Sequence, residues 1–337
     1  MMGGQIRTGV LPLAILSYAA LALAMAPATY LSMAQSYFMQ AVILPLVLCI
    51  CLPLFAVLRR PAAPFSLMRE VLVKGTPRLV VVAAMFCIGL SAFTTFKLAI
   101  PGLVPFYADT LLADIDAWLH HGNPGEFAHA IVPDWAQYPL GYLYGPVWAT
   151  LWFGLLAFVS LHDNGNLRRR YFWSMALTIC LLGTVAATAF SSVGPIFYAE
   201  FVEPTRFADL TAAIGESAVG DYMAQVSGYL LAGYHSGVGK MGTGISAMPS
   251  MHLAIATLNA CMLSSLNRTA GIAGWVYVAL ILLGSVYLGW HYAIDGYFSI
   301  AAVTLIWWVA GKVTADRSAF AEPARVEASD GIPVAAE

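Results

Sequence analysis

Apolar stretches close to twenty residues long recur along almost the whole chain, and they limit what it can fold into more than any other feature. A helix needs about 20 apolar residues to cross the hydrocarbon core of a bilayer. Segments 9–32, 38–58, 79–100, 138–161, 171–193, 249–266, 270–290 and 293–312 meet or approach that length, the sixth being the shortest. With 60% hydrophobic and 10% charged residues and a mean hydropathy of +0.76, the chain is predicted to be an all-α integral membrane protein with about eight transmembrane helices. The first segment follows Arg7 and ends near Ala22, Ala24 and Ala26, as a signal peptide would. Its apolar run exceeds the roughly 7–15 residues of a signal h-region, so it is read as a retained helix.

Charge supplies the orientation. Of 16 Lys and Arg residues, all but Lys97, Arg206 and Lys240 fall on one side of this topology, which the positive-inside rule makes cytoplasmic. Both termini are then expected in the cytoplasm. A net charge of -2 gives no basic field, so no nucleic-acid partner is expected. Cys49, Cys51, Cys87, Cys180 and Cys261 all sit in apolar stretches and read as small packed hydrophobes.

Two long segments, 101–137 and 194–248, lie on the outer side. The first contains DTLLADIDAWLHHG, in which Leu111, Leu112, Ile115 and Leu119 recur near helical spacing while Asp109, Asp114 and Asp116 take other faces; it predicts an amphipathic helix on the outer membrane surface. The second is rich in Gly, Tyr and Ser and ends in GYHSGVGKMGTGISAMPSMH, which reads as flexible backbone just ahead of the sixth helix. Three regions follow: residues 1–78, an N-terminal transmembrane hairpin and cytoplasmic loop; 79–312, the membrane core; and 313–337, a polar tail without periodicity, expected to be disordered.

The outer boundary also gathers the chemistry. His252, in AMPSMHLA, opens the sixth helix; His291, in YLGWHYAIDGYF, closes the seventh; Asp295 begins the eighth. A neutral imidazole can attack phosphorus and form a covalent phosphohistidine. Its other ring nitrogen needs a carboxylate to fix the tautomer, and Asp295 is the near one. A second histidine can protonate the leaving oxygen and deprotonate the next nucleophile. Pro249 suits a first helical turn, Ser250 and the free N–H groups there can hold phosphate oxygens, and Gly242 and Gly244 allow close backbone approach to the same anion.

PSMH (Pro249–His252) followed by HYAID (His291–Asp295) resembles the second and third signature motifs of the phosphatidic acid phosphatase type 2 superfamily. YLGWHYAID, with GPIFY at Gly194–Tyr198 and DIDAWLHHG, looks most like its inositol phosphorylceramide synthase branch, over roughly residues 105 to 312. The resemblance implies a six-helix phosphatase-type core with extra N-terminal helices and a metal-independent reaction without cofactor. It further implies His291 as nucleophile, Asp295 as its orienting partner, His252 as acid and base, and Ser250 as a phosphate ligand. Substrates would be a phospholipid or lipid phosphate, with a lipid hydroxyl such as ceramide or diacylglycerol as acceptor. The Lys and Arg-Pro of the first motif have no clear counterpart, and Gly284 and Ser285 stand where a Ser-Arg pair is expected. Other cations must then meet the phosphate charge, in the order Lys240, Arg206, Lys97.

Weaker signals are read plainly. His120, His121, Glu126 and His129 in HHGNPGEFAH could suggest a metal site but are read as solvated loop histidines, and His235 as a hydrogen-bonded loop histidine. The sequon at Asn267 falls on the cytoplasmic side and should go unused. Tyr287 and Trp290 are expected as interface anchors. Two rivals stand beside the phosphotransferase: a lipid phosphate phosphatase, and a proton-coupled transporter using His and Asp as a relay.

Overall fold

A computed structural model describes residues 9–41, 53, 56–57, 60–237, 239–240 and 242–314, with only the backbone of Lys74. Those residues are helical, with no strand among them. Two N-terminal helices, α1 (Val10–Met25) and α2 (Pro27–Ala41), precede α3 (Thr76–Leu103). The loop helices α4 (Asp109–His120) and α5 (Pro124–Ile131) come next, then α6 (Asp134–Leu161) and α7 (Gly165–Ala189). After α8 (Ala208–Glu216) and α9 (Gly220–Ser236), the chain closes with α10 (Met251–Ser264), α11 (Arg268–Tyr287) and α12 (Ala293–Thr314).

Five of these, α3, α6, α7, α11 and α12, are long and apolar enough to cross a membrane. Eight were predicted; five reach that length among the described residues, with α1 and α10 as shorter apolar helices. The first predicted span breaks at Ala26, where Pro27 lacks the N–H needed to continue α1 and starts α2 instead. The second falls largely outside the described residues, as do the predicted tail, Cys49 and Cys51. The sixth becomes α10, whose 14 residues rise only about 21 Å.

That short helix is the centre of the bundle. Leu253 through Met262 are all buried, and two apolar clusters meet on it. Leu253, Ala256 and Ala260 face the cluster built with α11 and the loop helices; Ile255, Leu258 and Met262 face the one built with α6 and α7. Close approach to α11 depends on small residues: a Cβ on Gly274 would lie 2.8 Å from the Ala260 Cα, and one on Gly271 would lie 2.9 Å from the Ser264 Cα. In lipid, where apolar burial drives little, such contacts set helix pairing. Asn267 caps α11 by accepting from the Ala270 N–H at 2.8 Å, which gives the sequon asparagine a structural task.

The outer segments carry more than the sequence suggested. Residues 194–248 include α8 and α9. In α4 Leu111 and Leu119 are exposed on one face, as the amphipathic reading has it, while Asp109 and Asp116 on another face are buried. The carboxylates turn inward because unpaired backbone N–H groups await them there. Tyr287 is fully buried against His129 rather than serving as an interface anchor.

Candidate active site

His252 stands in the first turn of α10. Ser250 caps that helix, its Oγ accepting from the Leu253 N–H at 3.4 Å, which leaves the hydroxyl proton available. The cap follows a cis Met248–Pro249 bond. Upstream, Ala247 N–H donates to the Ser192 carbonyl at 2.9 Å and Met248 N–H to the Ser192 hydroxyl at 3.0 Å. The imidazole of His252 packs on two rings from α6, with centroids 4.2 Å from both Tyr144 and Trp148. Trp148 Nε1 also donates to the His252 carbonyl at 3.0 Å.

His291 follows α11 rather than closing it, because the helix ends at Tyr287. Leu288, Gly289 and Trp290 N–H groups return to the Gly284, Val286 and Ser285 carbonyls, and Gly289 takes a left-handed φ of 69° to make the stop. The next helix starts at once, and Asp295, in its third position, reaches back to accept from the Tyr292 N–H at 3.1 Å, half of a capping box. The same oxygen, Oδ2, lies 3.4 Å from His291 Nδ1. His291 Nδ1 and Asp295 Oδ1 have no hydrogen-bond partner among the described residues. The rings of His252 and His291 are 6.4 Å apart, so the expected trio does converge at one end of the bundle.

Two aspartates that sequence reasoning left on a membrane surface brace this end. Asp116 on α4 accepts from the Ala293 and Ile294 N–H groups at 2.6 and 3.0 Å, capping α12 from outside the helix. Asp109 accepts from the Val193 and Gly194 N–H groups and from the Tyr292 hydroxyl at 2.8 Å. Burial pushes both carboxyls above the usual carboxylate range, against the hydrogen bonds, which pull the other way. Gly194 has φ 86°, and a Cβ there would meet the Trp290 carbonyl at 2.5 Å; Ile196 N–H donates to the Gly289 carbonyl at 2.8 Å. Segment 191–196 thus ties the first outer loop, the PSMH turn and the His291 turn together. The one signal for this in the sequence was an aspartate pair spaced Asp109 to Asp116, two helical turns apart on one face of an amphipathic helix.

A cavity of about 140 Å³ opens beside His291, lined also by Asp116, Arg206 and Tyr292. Each water takes about 30 Å³, so the space admits a group of several heavy atoms. Arg206 is held at its edge by Asp114 at 2.7 Å. Lys97, ranked last among the cations, packs its stem on Gly244, whose φ of 104° and missing Cβ admit it. Lys240, ranked first, is exposed on a turn closed by Thr243, its Nζ 5.9 Å from the Tyr229 ring centre. Gly242 is exposed beside it.

The loop histidines have other occupations. His129 Nε2 meets the Tyr287 carbonyl and His120 Nε2 the Tyr297 hydroxyl, each at 2.9 Å. His235 lies 3.3 Å from Glu200. Among the described residues no group of three or more His, Cys, Asp or Glu side chains could hold a metal ion. Cys87, Cys180 and Cys261 are free.

A buried histidine and carboxylate with a second, half-buried histidine beside them, at the end of a membrane bundle, form an arrangement chemically suited to group transfer. Residues 110–310 match the family described as PAP2 superfamily, and the chain belongs to it. Members of that superfamily are generally phosphatases or phosphotransferases acting on lipid phosphates within a membrane. No curated protein and no solved structure gives a significant match to the chain.

Proposed function

We propose that the protein is a membrane phosphotransferase that moves a phosphorylated head group from a lipid donor to a lipid hydroxyl, as inositol phosphorylceramide synthases do. The observation that supports it most is the pairing of His291 with Asp295, opposite His252, at one buried end of the bundle. Asp295 faces Nδ1 of His291 and leaves Nε2 as the nucleophile. Nε2 attacks phosphorus, the bond from phosphorus to the donor lipid oxygen breaks, and His252 gives that oxygen its proton. In the second step His252 takes the proton of the acceptor hydroxyl, whose oxygen attacks phosphorus as the P–N bond breaks and His291 returns to neutral. Ser250, the α10 N-terminus and Gly244 hold the non-bridging oxygens, and Lys97 and Arg206 balance their charge, with Lys240 at the rim. The reaction needs neither metal nor cofactor in this reading.

The active site faces the non-cytoplasmic side of the cell membrane, both termini lie in the cytoplasm, and ceramide or diacylglycerol is the acceptor class. With water as acceptor the same site is a lipid phosphate phosphatase. Family membership weighs against the proton-coupled transporter. Purified protein incubated with phospholipid labelled in the head-group phosphate, with and without ceramide or diacylglycerol, decides between them. Label appearing in the acceptor lipid is expected; label released only as water-soluble phosphate or head-group phosphate rules out transfer. A cysteine introduced near Lys240 should react with an impermeant thiol reagent from outside, and labelling only from the cytoplasm would reverse the orientation.

A further inference from the structure

Tyr144 stands inside the site with no task in the steps above. It belongs to the π-helical turn Leu143–Val147 within α6, a kind of turn that re-aims side chains and recurs at functional sites. The Tyr277 hydroxyl donates to the Leu143 carbonyl at 2.7 Å and secures that turn. The Tyr144 ring lies on His252 at 4.2 Å and 16°, nearly parallel. Its edge uses the space left by Gly284, where a Cβ would come within 3.2 Å of Tyr144 Cδ2. The side chain is 4% exposed, and its hydroxyl has no hydrogen-bond partner among the described residues. A buried hydroxyl in that state opposes folding. Asp295 Oδ1 is in the same state, in the same cluster: the ring of His252, on which Tyr144 lies, is 6.4 Å from that of His291, and Asp295 is 3.4 Å from His291. A donor without an acceptor and an acceptor without a donor thus share one buried cluster.

We propose that Tyr144 is a positioning residue of the two-histidine site, its ring fixing His252 and its hydroxyl donating to Asp295 Oδ1 as His291 becomes cationic. The inference rests on the phosphohistidine reading above. When His291 Nε2 bonds phosphorus, the imidazole gains positive charge and Asp295 balances it through Oδ2. That oxygen already accepts from the Tyr292 N–H and is the one 3.4 Å from His291 Nδ1, so Oδ1 is the one left to be held. The phenol keeps its proton throughout and donates a hydrogen bond only. One side chain thereby couples the acid and base to the carboxylate behind the nucleophile.

Tyr144→Phe keeps the stack and deletes one oxygen. It should lower kcat about tenfold with KM within about twofold, and leave thermal stability in detergent unchanged or higher, since the unpartnered hydroxyl is gone. In an Asp295→Asn background, followed by single turnover, the same change should cost less than about twofold, because the charged acceptor has been removed. Tyr144→Leu, which also removes the stack, should lose more activity than Phe. Wild-type kcat in the Phe variant, or equal losses in both backgrounds, overturns the proposal. His291→Gln separates the two readings. Turnover by that variant means the phosphohistidine scheme has failed; an inactive His291→Gln beside a wild-type Tyr144→Phe means that only the role of Tyr144 has failed.

Discussion

Two kinds of buried carboxylate sit within one end of this bundle. Asp109 and Asp116 are saturated, each accepting from backbone N–H groups of segments distant in sequence, and Asp109 from a tyrosine as well. Asp295 accepts one good backbone bond, stands 3.4 Å from His291, and keeps its other oxygen without a partner. The saturated pair fixes the geometry at the start of α12 and after α7, because losing any one acceptor would strand donors in a buried place. The unsaturated one retains capacity for charge that appears only during reaction, which is where electrostatic stabilisation accelerates a chemical step. Under the proposed mechanism, stability and chemistry fall to different carboxylates.

The contrast can be broken from either side. The largest effect is expected for His291→Gln, which should lower turnover by about three orders of magnitude or more while the melting temperature stays near wild type. Retained activity would remove His291 from the nucleophile's role. Asp116→Ala should do the opposite in kind: with the Ala293 and Ile294 N–H groups stranded, stability should fall by about 3 kcal/mol, and activity with it. Asp116→Asn, which restores an acceptor oxygen, should recover part of that loss. Thermal melting in detergent reads both, and an Asp116→Ala protein as stable as wild type would refute the bracing role. Lys97→Met keeps the stem on Gly244 and deletes the charge, so KM should rise about tenfold with the fold intact. Lys240→Ala should change kcat/KM by less than about twofold, since the side chain is exposed. A larger effect at Lys240 than at Lys97 would restore the order that the sequence suggested.

How far the sequence could be read followed the range of each interaction. Apolar length is local, so five spans were legible to within a few residues, whereas Pro27 breaking the first segment was overlooked because mean hydropathy does not register a missing N–H. The His291–Asp295 pair is also local, one helical turn apart, and PSMH could be joined to it through topology. The acidic residues of α4 were misplaced because periodicity says which residues share a face and not what that face meets. Leu111 and Leu119 marked the apolar face correctly, but the bundle needed the other one, where Asp109 and Asp116 satisfy its backbone donors. Lys97 was ranked low since a lysine in an apolar helix near its end reads as snorkelling.

By itself, then, the sequence determined the class of protein and pointed to His252, His291 and Asp295 as a trio, because bilayer length and a motif within one or two turns are properties of neighbouring residues. The tertiary structure alone decided that Arg206 shares a cavity with His291, which aspartates hold the turns, and that the Tyr144 ring lies on His252. Those depend on pairings across 84 to 183 positions, from Asp109 with Val193 to Asp109 with Tyr292, and no local pattern in a single chain encodes which buried donor will meet which acceptor.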